Sequence, residues 1–259
     1  MSASTLSGKV VLITGASSGI GAGSAKYFAS LGCKLALVAR SKEKLESVKQ
    51  DCAESGAQEI IILPHDLSRE KDCEQAVSDT VGHFGSLDIL INSAGILMSG
   101  SIETLSSENY DKVMNINTKA AFLLTQLATP HLIKTKGCIV HVSSVTGIRA
   151  FPGVLGYCMS KAAMDQLVRC SALDLASKGV RVNSVNPGVI VTDCHRNGGM
   201  DEETYAKFLE HSRTTHALGR AGTVDEVSGM IGFLASDAAS FITGQTIAID
   251  GGRGIMCPR

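Results

Sequence analysis

Apolar positions along this chain come in two patterns. Short runs at 10–14, 35–39, 60–63, 87–91, 138–143, 180–185 and 246–249 are β-branched and apolar, several of them on both parities. Such runs read as strands covered on both faces. Between them lie stretches in which apolar residues recur at helical spacing, at about 20–33, 41–55, 69–84, 106–134, 157–177 and 223–236. Strand–helix alternation of this kind predicts an α/β fold of the Rossmann-like, doubly wound type, a seven-stranded parallel sheet with helices on both faces. End signals agree with these elements: Gly32 is placed to stop the first helix, Ser41 and Ser68 to cap the next two, and Thr223-Val224-Asp225-Glu226 is a capping-box pattern.

One stretch departs from the alternation. Residues 193–220 are polar, rich in charge and glycine-containing, yet carry Met200, Tyr205, Phe208 and Leu209. The stretch reads either as a substrate lid over a site or as a plain pair of surface helices. No repeat, low-complexity tract or linker interrupts the rest, so the economical reading is a single domain over 1–259.

Composition narrows the function classes. Lys and Arg number 24 against 25 Asp and Glu, Trp is absent and aromatics make up 4%. This balance offers neither a basic footprint nor a stacking platform, which argues against nucleic acid as a partner. No segment reaches the roughly 18 apolar residues of a membrane span. The polar stretch 1–9 lacks the apolar core of a secretion signal, and Cys257, third from the end, does not make a prenylation box. A cytoplasmic protein is expected. The eight cysteines include no Cys-x-x-Cys pair and read as small buried hydrophobes in a reducing compartment. The seven histidines are not spaced to share a helix face, so no metal site is expected.

Candidate chemistry begins at Thr14-Gly15-Ala16-Ser17-Ser18-Gly19-Ile20-Gly21, between the first strand and the first helix. Glycines there allow a sharp turn and a close approach to a pyrophosphate, and the helix N-terminus supplies free N–H groups. Ser17 and Ser18 add hydroxyl donors. The second strand ends in Ala39-Arg40, where a fold of this kind prefers an acidic residue if it binds the ribose 2′-OH of NAD. A guanidinium grips a 2′-phosphate instead, so NADP(H) is expected in preference to NAD(H). Downstream, Tyr157 and Lys161 stand one helical turn apart. An ammonium beside a phenol favours the phenolate and predicts a pKa below the usual value of about 10.

Taken with the residues below, these motifs resemble the short-chain dehydrogenase/reductase family over essentially the whole chain. Thr14, Gly15, Gly19 and Gly21 match its glycine loop. Asn92-Ser93-Ala94-Gly95 matches its Asn-Asn-Ala-Gly signature, with Ser93 in place of the second Asn. Ser143-Ser144-Val145-Thr146-Gly147 and Asn186-Pro187-Gly188 with Thr192 match two further signatures, and Thr243-Gly244-Gln245 through Asp250-Gly251-Gly252 is a typical tail. The resemblance implies that Asp66 contacts the adenine with Leu67 beside the ring. It implies cofactor contacts from Asn92, Ala94, Gly95, Pro187, Gly188 and Thr192, and an Ile190 backbone contact to the nicotinamide amide. It also implies a catalytic set of Asn, Ser, Tyr and Lys. Asn115 and Asn117 compete for the first place, and the family spacing to Phe122 selects Asn117; Ser144, Tyr157 and Lys161 complete the set.

In that reading Tyr157 is general acid in reduction and general base in oxidation, and Ser144 donates to the developing oxyanion. Lys161 holds the phenol pKa down and bonds the nicotinamide ribose, while Asn117 bends its helix and holds a water that links Lys161 to solvent. A homotetramer built through long helices is also implied. The substrate is read as a small carbonyl or secondary alcohol in a mainly apolar pocket lined by Met98, Phe151, Val154 and Met200, with Ile148, Leu155, Val189 and Phe208 nearby. No arginine is placed so as to demand a carboxylate; His195, Arg196 and Arg213 contact either an anionic tail or solvent. Overall the chain resembles the 3-oxoacyl-carrier reductase branch. Two alternatives remain in view: a nucleotide-sugar epimerase, for which too few residues follow Lys161, and a non-catalytic NADP(H)-binding sensor or scaffold.

Overall fold

A computed structural model describes residues 6–257, together with all their side chains except that of His195. The expectations for residues 1–5 and for the last two positions therefore lie outside the described residues. Seven strands form one parallel sheet in the order β3-β2-β1-β4-β5-β6-β7. They are β1 (Val10–Thr14), β2 (Lys34–Ala39), β3 (Glu59–Pro64), β4 (Ile89–Asn92), β5 (Cys138–Val142), β6 (Arg181–Pro187) and β7 (Thr246–Ile249).

Two apolar cores explain why these runs are apolar on both parities. Val11 and Ile13 of β1 pack into one core with Phe28, Leu45, Ile231 and Leu234. Val10 and Leu12 point to the other face, against Val77, Leu124, Ala128 and Val168. Helices α1 (Gly19–Ser30), α2 (Lys42–Glu54) and α9 (Val224–Ala235) cover the first face. Helices α3 (Glu70–Phe84), α5 (Ala120–Thr135) and α6 (Leu155–Ala176) cover the second. Each wholly buried Leu or Ile contributes about 1.5–3 kcal/mol of transfer free energy, so the paired cores hold the sheet without metal or disulfide.

The expected helix at 106–134 is divided into α4 (Ser107–Met114), a π-helical turn Asn115–Lys119 and α5. The 193–220 stretch forms two helices, α7 (Cys194–Asn197) and α8 (Glu202–Thr215). Ser41 caps α2 by accepting Lys44 N–H, and Thr223 and Glu226 form the capping box of α9. Gly32, at φ 73°, turns the chain out of α1. Ser68 does not cap α3. Arg69 occupies the cap position with no side-chain cap bond, and the Asp72 carboxylate reaches back from the first turn to accept Asp66 N–H at 2.8 Å. Ser68 N–H is held instead by Asp66 Oδ1 at 3.1 Å.

Strand order reverses between β1 and β4, which opens a crevice at their C-terminal ends. Thr14 closes its floor: its Oγ1 accepts Ser93 N–H at 3.0 Å and Ala94 N–H at 3.1 Å. The first glycine turn and the loop after β4 are thereby fixed to each other.

Candidate active site

The glycine turn is as tight as its sequence requires. Gly15 and Gly19 take φ of 65° and 53°, where side chains are disfavoured. A Cβ on Gly15 would lie 2.9 Å from the Ala94 backbone, and one on Gly21 would run into the Gly15 carbonyl. Ser18 is the N-cap of α1 but spends no side-chain bond on capping, and no acidic residue occupies the first turn. The start of α1 thus keeps the N–H groups of Gly19, Ile20 and Gly21 uncapped, with the Ser17 and Ser18 hydroxyls beside them, a set of donors suited to a phosphate. Gly19 lies against Thr192, where an added Cβ would stand 3.4 Å from the Thr192 side chain. The turn and the loop after β6 meet over the same crevice.

Arg40 is exposed at the end of β2, next to the nearly buried Ala39, and no carboxylate pairs with it among the described residues. Asp66 follows β3 with one oxygen bound to Ser68 N–H, and Leu67 is buried behind it. Asn92 turns inward instead. It is 2% exposed, and its amide Nδ2 lies 3.4 Å from both Thr125 Oγ1 and His141 Nδ1. Its Oδ1 is buried without a hydrogen-bond partner among the described residues. Gly95 lines a cradle that a Cβ would fill, 3.4 Å from Asn117 Oδ1 and 3.6 Å from Lys161 Nζ. These features fit a dinucleotide lying from Arg40 across the glycine turn to Lys161.

Asn117 and Asn115 separate in space. Asn115 donates to the Ser68 carbonyl, on the loop after β3. Asn117 is wholly buried; its Oδ1 accepts Ile96 N–H at 2.8 Å, and its Nδ2 donates to Ile96 O at 2.9 Å and Ser160 Oγ at 3.0 Å. The π-helical turn aims this amide at the strand-end loop instead of at solvent. Asn117 is therefore a clamp on the loop that carries Gly95, set beside Lys161.

Ser144 follows β5 and is 8% exposed. Its hydroxyl accepts Thr146 N–H at 3.1 Å. Behind it lies a buried polar network that sequence reading missed. Asn186 Nδ2 donates to Ser144 O at 2.9 Å and to Asp165 Oδ2 at 2.8 Å, and Ser184 Oγ donates to Asn186 Oδ1 at 3.1 Å. Burial pushes the Asp165 carboxyl up, and bonds from Ser143 and Asn186 draw it down. The one available signal was that Asp165 follows Lys161 by a helical turn on the same buried face of α6.

Tyr157 and Lys161 share the first turns of α6, with Lys161 Nζ 5.6 Å from the centre of the Tyr157 ring. Lys161 is 4% exposed and donates to Val142 O at 2.8 Å. Burial lowers its pKa from the usual 10.5 to about 8. The expected acidified phenol is not what this arrangement gives. Burial first, and then the neighbouring Cys194 side chain, raise the Tyr157 pKa above its ordinary value, while Ser144 draws it down. At 5.6 Å from the ring and bonded to a carbonyl, the Lys161 ammonium does not offset the desolvation of the phenolate. Tyr157 is only partly buried, which tempers the upward push.

The cysteines divide. Cys33, Cys52, Cys73 and Cys138 are core hydrophobes, as expected, but Cys170, Cys194 and Cys257 are exposed, and Cys194 interacts with Tyr157 and Lys161. Among the described residues, no three His, Cys, Asp or Glu side chains gather as metal ligands, and no helix is long and apolar enough to cross a membrane.

The substrate side is built by loops. The loop carrying Met98 is stitched to the one carrying Val154: Gly100 N–H donates to Gly153 O at 2.8 Å, and Leu155 N–H donates to Gly100 O at 3.0 Å. Phe151 and Met200 are half-buried. After β6, Gly188 N–H bonds Ile249 O, and Ile190 is buried and bridges to Gly222. Arg196 is consumed within the 193–220 stretch by Asp193, Glu202 and the Tyr205 ring, and Arg213 by Glu210. Tyr205 and His216 were not singled out as site residues, yet both anchor α8 to the loop after β6. Tyr205 Oη donates to Thr192 O at 3.0 Å, and His216 Nε2 accepts Val189 N–H at 3.2 Å.

Comparison with known proteins agrees with this geometry. The family model for enoyl-(acyl carrier protein) reductase matches residues 15–253. The chain is 39% identical over 249 residues to 3-oxoacyl-acyl-carrier-protein reductase FabG of Thermotoga maritima, covering 95% of this chain and 98% of that one. It is 36% identical over 244 residues to the meso-2,3-butanediol dehydrogenase of Serratia marcescens, covering 94% of each. A short-chain dehydrogenase/reductase of unknown function from Caenorhabditis elegans, solved with cofactor, superposes with a TM-score of 0.91 at 36% identity over 97% of each chain.

Proposed function

Because this chain belongs to the short-chain dehydrogenase/reductase family of oxidoreductases, we propose that it transfers a hydride between NADP(H) and a carbonyl or secondary alcohol, with Tyr157 as general acid and base. The observation that carries this reading is the convergence of Ser144, Tyr157 and Lys161 with the Gly95 cradle at the end of the β1–β4 crevice. The bound nicotinamide supplies or accepts the hydride.

The protein's own part is positional and electrostatic. Gly15, Ser17, Ser18, Gly19, Ile20 and Gly21 hold the pyrophosphate, and Arg40 holds the 2′-phosphate. Asp66, Leu67, Ala94 and Gly95, the Asn92 backbone, and Pro187, Gly188, Ile190 and Thr192 flank the dinucleotide. Lys161 donates to the ribose hydroxyls. Ser144 donates to the carbonyl oxygen as charge develops there, an arrangement that mutational data on comparable donors value at about 2.7–4 kcal/mol. Tyr157 gives that oxygen its proton in reduction and takes it back in oxidation. A raised phenol pKa keeps the proton in place at neutral pH, which suits donation.

Met98, Phe151, Val154 and Met200 give the substrate an apolar bed, closed by the 193–220 lid. The whole chain is read as one catalytic domain in the cytoplasm. Exposed Phe122 on α5 and Leu173 on α6 support a homotetramer formed through the long helices. The test is a panel of ketones and aldehydes followed by NADPH absorbance, with and without the protein. Oxidation of NADPH by some members of the panel is expected; inactivity across it, with NADPH binding retained, would replace the enzyme reading with a sensor.

A further inference from the structure

The segment after β7 folds back on itself and lies across the outer end of the cleft. Asp250 sets the turn: its carboxylate accepts Gly252 N–H at 2.9 Å and Gly254 N–H at 2.6 Å, while Arg253 N–H donates to Asp250 O at 3.0 Å. Gly251 and Gly252, at φ 57° and 83°, supply the left-handed backbone that this reversal needs.

The turn sits between two walls of the site. On one side Leu218 N–H bonds Gly251 O, and a Cβ on Gly251 would stand 3.6 Å from His216, at the foot of the lid. On the other, a Cβ on Gly254 would stand 3.6 Å from Val145 and 3.7 Å from Ile148, on the loop that joins Ser144 to Tyr157. From this turn the Arg253 guanidinium reaches the same loop and stacks on Phe151, with Cζ 4.8 Å from the ring centre.

The charge of Arg253 is unanswered. Arg196, Arg213 and Arg220 each have a carboxylate partner at the lid or its hinge. No such pair forms at Arg253 among the described residues, although it is half-buried. Asp250 is the nearest acidic influence, but its carboxylate points back to Gly252 and Gly254 N–H and makes no ion pair with the Arg253 guanidinium. A guanidinium stacked on an aromatic face keeps its in-plane N–H fork open, the geometry that grips a carboxylate in bidentate fashion. A half-buried cation without a partner is costly unless a ligand completes it.

We propose that Arg253 binds the carboxylate of the substrate, which makes the substrate class an oxo acid or hydroxy acid whose carboxylate lies remote from the reacting carbon. Phe151, under the guanidinium, and Val154, three residues before Tyr157 on the same segment, are apolar and call for an aliphatic spacer. This assignment rests on the reading of the cleft as an oxidoreductase site and deepens it. Distance in sequence concealed the feature: Arg149 stands on the loop between Ser144 and Tyr157 but is exposed, whereas Arg253 reaches that loop only through the return of the chain after β7.

Two measurements on the full-length protein decide it. In calorimetric titration of the NADPH-saturated protein, hexanoate is expected to bind at least tenfold more tightly than hexanamide, and R253Q to remove that difference, with R253K keeping part of it. In turnover, 5-oxohexanoate is expected to exceed its methyl ester at least tenfold in kcat/KM, mainly through KM, and the ratio is expected to fall to about one in R253Q. Equal handling of acid and ester by the wild type, or equal losses for both in a folded R253Q, overturns the role of Arg253. Carboxylate-selective binding without turnover of any carbonyl would leave the anion site standing and remove the oxidoreductase reading instead.

Discussion

His216 Nε2 accepts the backbone N–H of Val189 at 3.2 Å, tying the end of α8 to the loop after β6. With Nε2 accepting, the ring proton lies on Nδ1, where it faces Ser212 O at 3.1 Å. Tyr205 makes a second tie one helix-length away, to Thr192 O at 3.0 Å. Helix α8 thus grips both ends of the 189–192 segment, which carries the proposed nicotinamide contacts. Removing either tie frees that segment at about the net worth of one hydrogen bond, roughly 0.5–1.5 kcal/mol. Tyr205→Phe and His216→Leu are each expected to weaken NADPH binding by about two- to tenfold, read by fluorescence titration. Unchanged affinity in both would separate the lid from the cofactor loop.

The same histidine makes stability depend on pH. Burial, with Arg253 nearby, lowers the His216 pKa below its ordinary 6.5, against the pull of Ser212 O and Asp250. Below about 6.5 the unfolded chain therefore binds more protons at this position than the folded one, so stability falls as pH falls through that window. Buried His141, lowered to about 3, acts in the same direction. His216→Gln is expected to flatten the decline in denaturation midpoint between pH 7 and pH 5 relative to the wild type, with the His141 share remaining. An identical slope in the variant would mean that His216 charges in the folded state without penalty.

Much of this was legible in the sequence, for identifiable reasons. Strands buried on both faces advertise themselves by apolar residues on both parities, and all seven were placed within a few residues. Gly15, Gly19 and Gly21 were recognisable because only glycine tolerates that turn. What escaped depended on distance in space. The expected Ser68 cap of α3 did not form because the cap position falls one residue later, at Arg69, and the Asp72 carboxylate ties the preceding loop through Asp66 N–H instead. The direction of the Tyr157 pKa depended on burial and on where Lys161 Nζ points, neither of which a four-residue spacing fixes. Asp165, His216 and Arg253 lie far in sequence from the groups they support, and pattern alone gave them no partner.

Tyr157 carries the proton in the proposed reaction, so its loss removes general acid catalysis, worth about 10²–10⁴-fold. Tyr157→Phe is expected to lower NADPH-dependent carbonyl reduction by at least that range while NADPH still binds within a few-fold of wild type. The raised phenol pKa adds a directional asymmetry. Reduction uses the protonated form and should vary little from pH 6 to 8, whereas oxidation of the corresponding alcohol needs the phenolate and should climb with pH across that range. Turnover that survives in the variant, or oxidation that falls as pH rises, would remove Tyr157 as the proton carrier.

The proposed preference for NADP(H) turns on the exposed Arg40 guanidinium. Arg40 stands at the end of β2, where the ribose of a dinucleotide laid along the crevice ends, and no carboxylate neutralises it among the described residues. A 2′-phosphate would find there a forked donor, and the 2′-hydroxyl of NAD would find no acceptor carboxylate. Arg40→Asp reverses both terms at once: it removes the attraction to phosphate and adds repulsion, while offering the free hydroxyl an acceptor. A charge-assisted hydrogen bond is worth about 1.5–3 kcal/mol, or roughly ten- to a hundredfold in affinity. The ratio of kcat/KM for NADPH over NADH is therefore expected to fall by at least that factor, and Arg40→Gln, which removes the charge without reversing it, to fall between. Should all three proteins show the same ratio, the 2′-position is read elsewhere, and the nearby lysines of α2, Lys42 and Lys44, become the next residues to exchange.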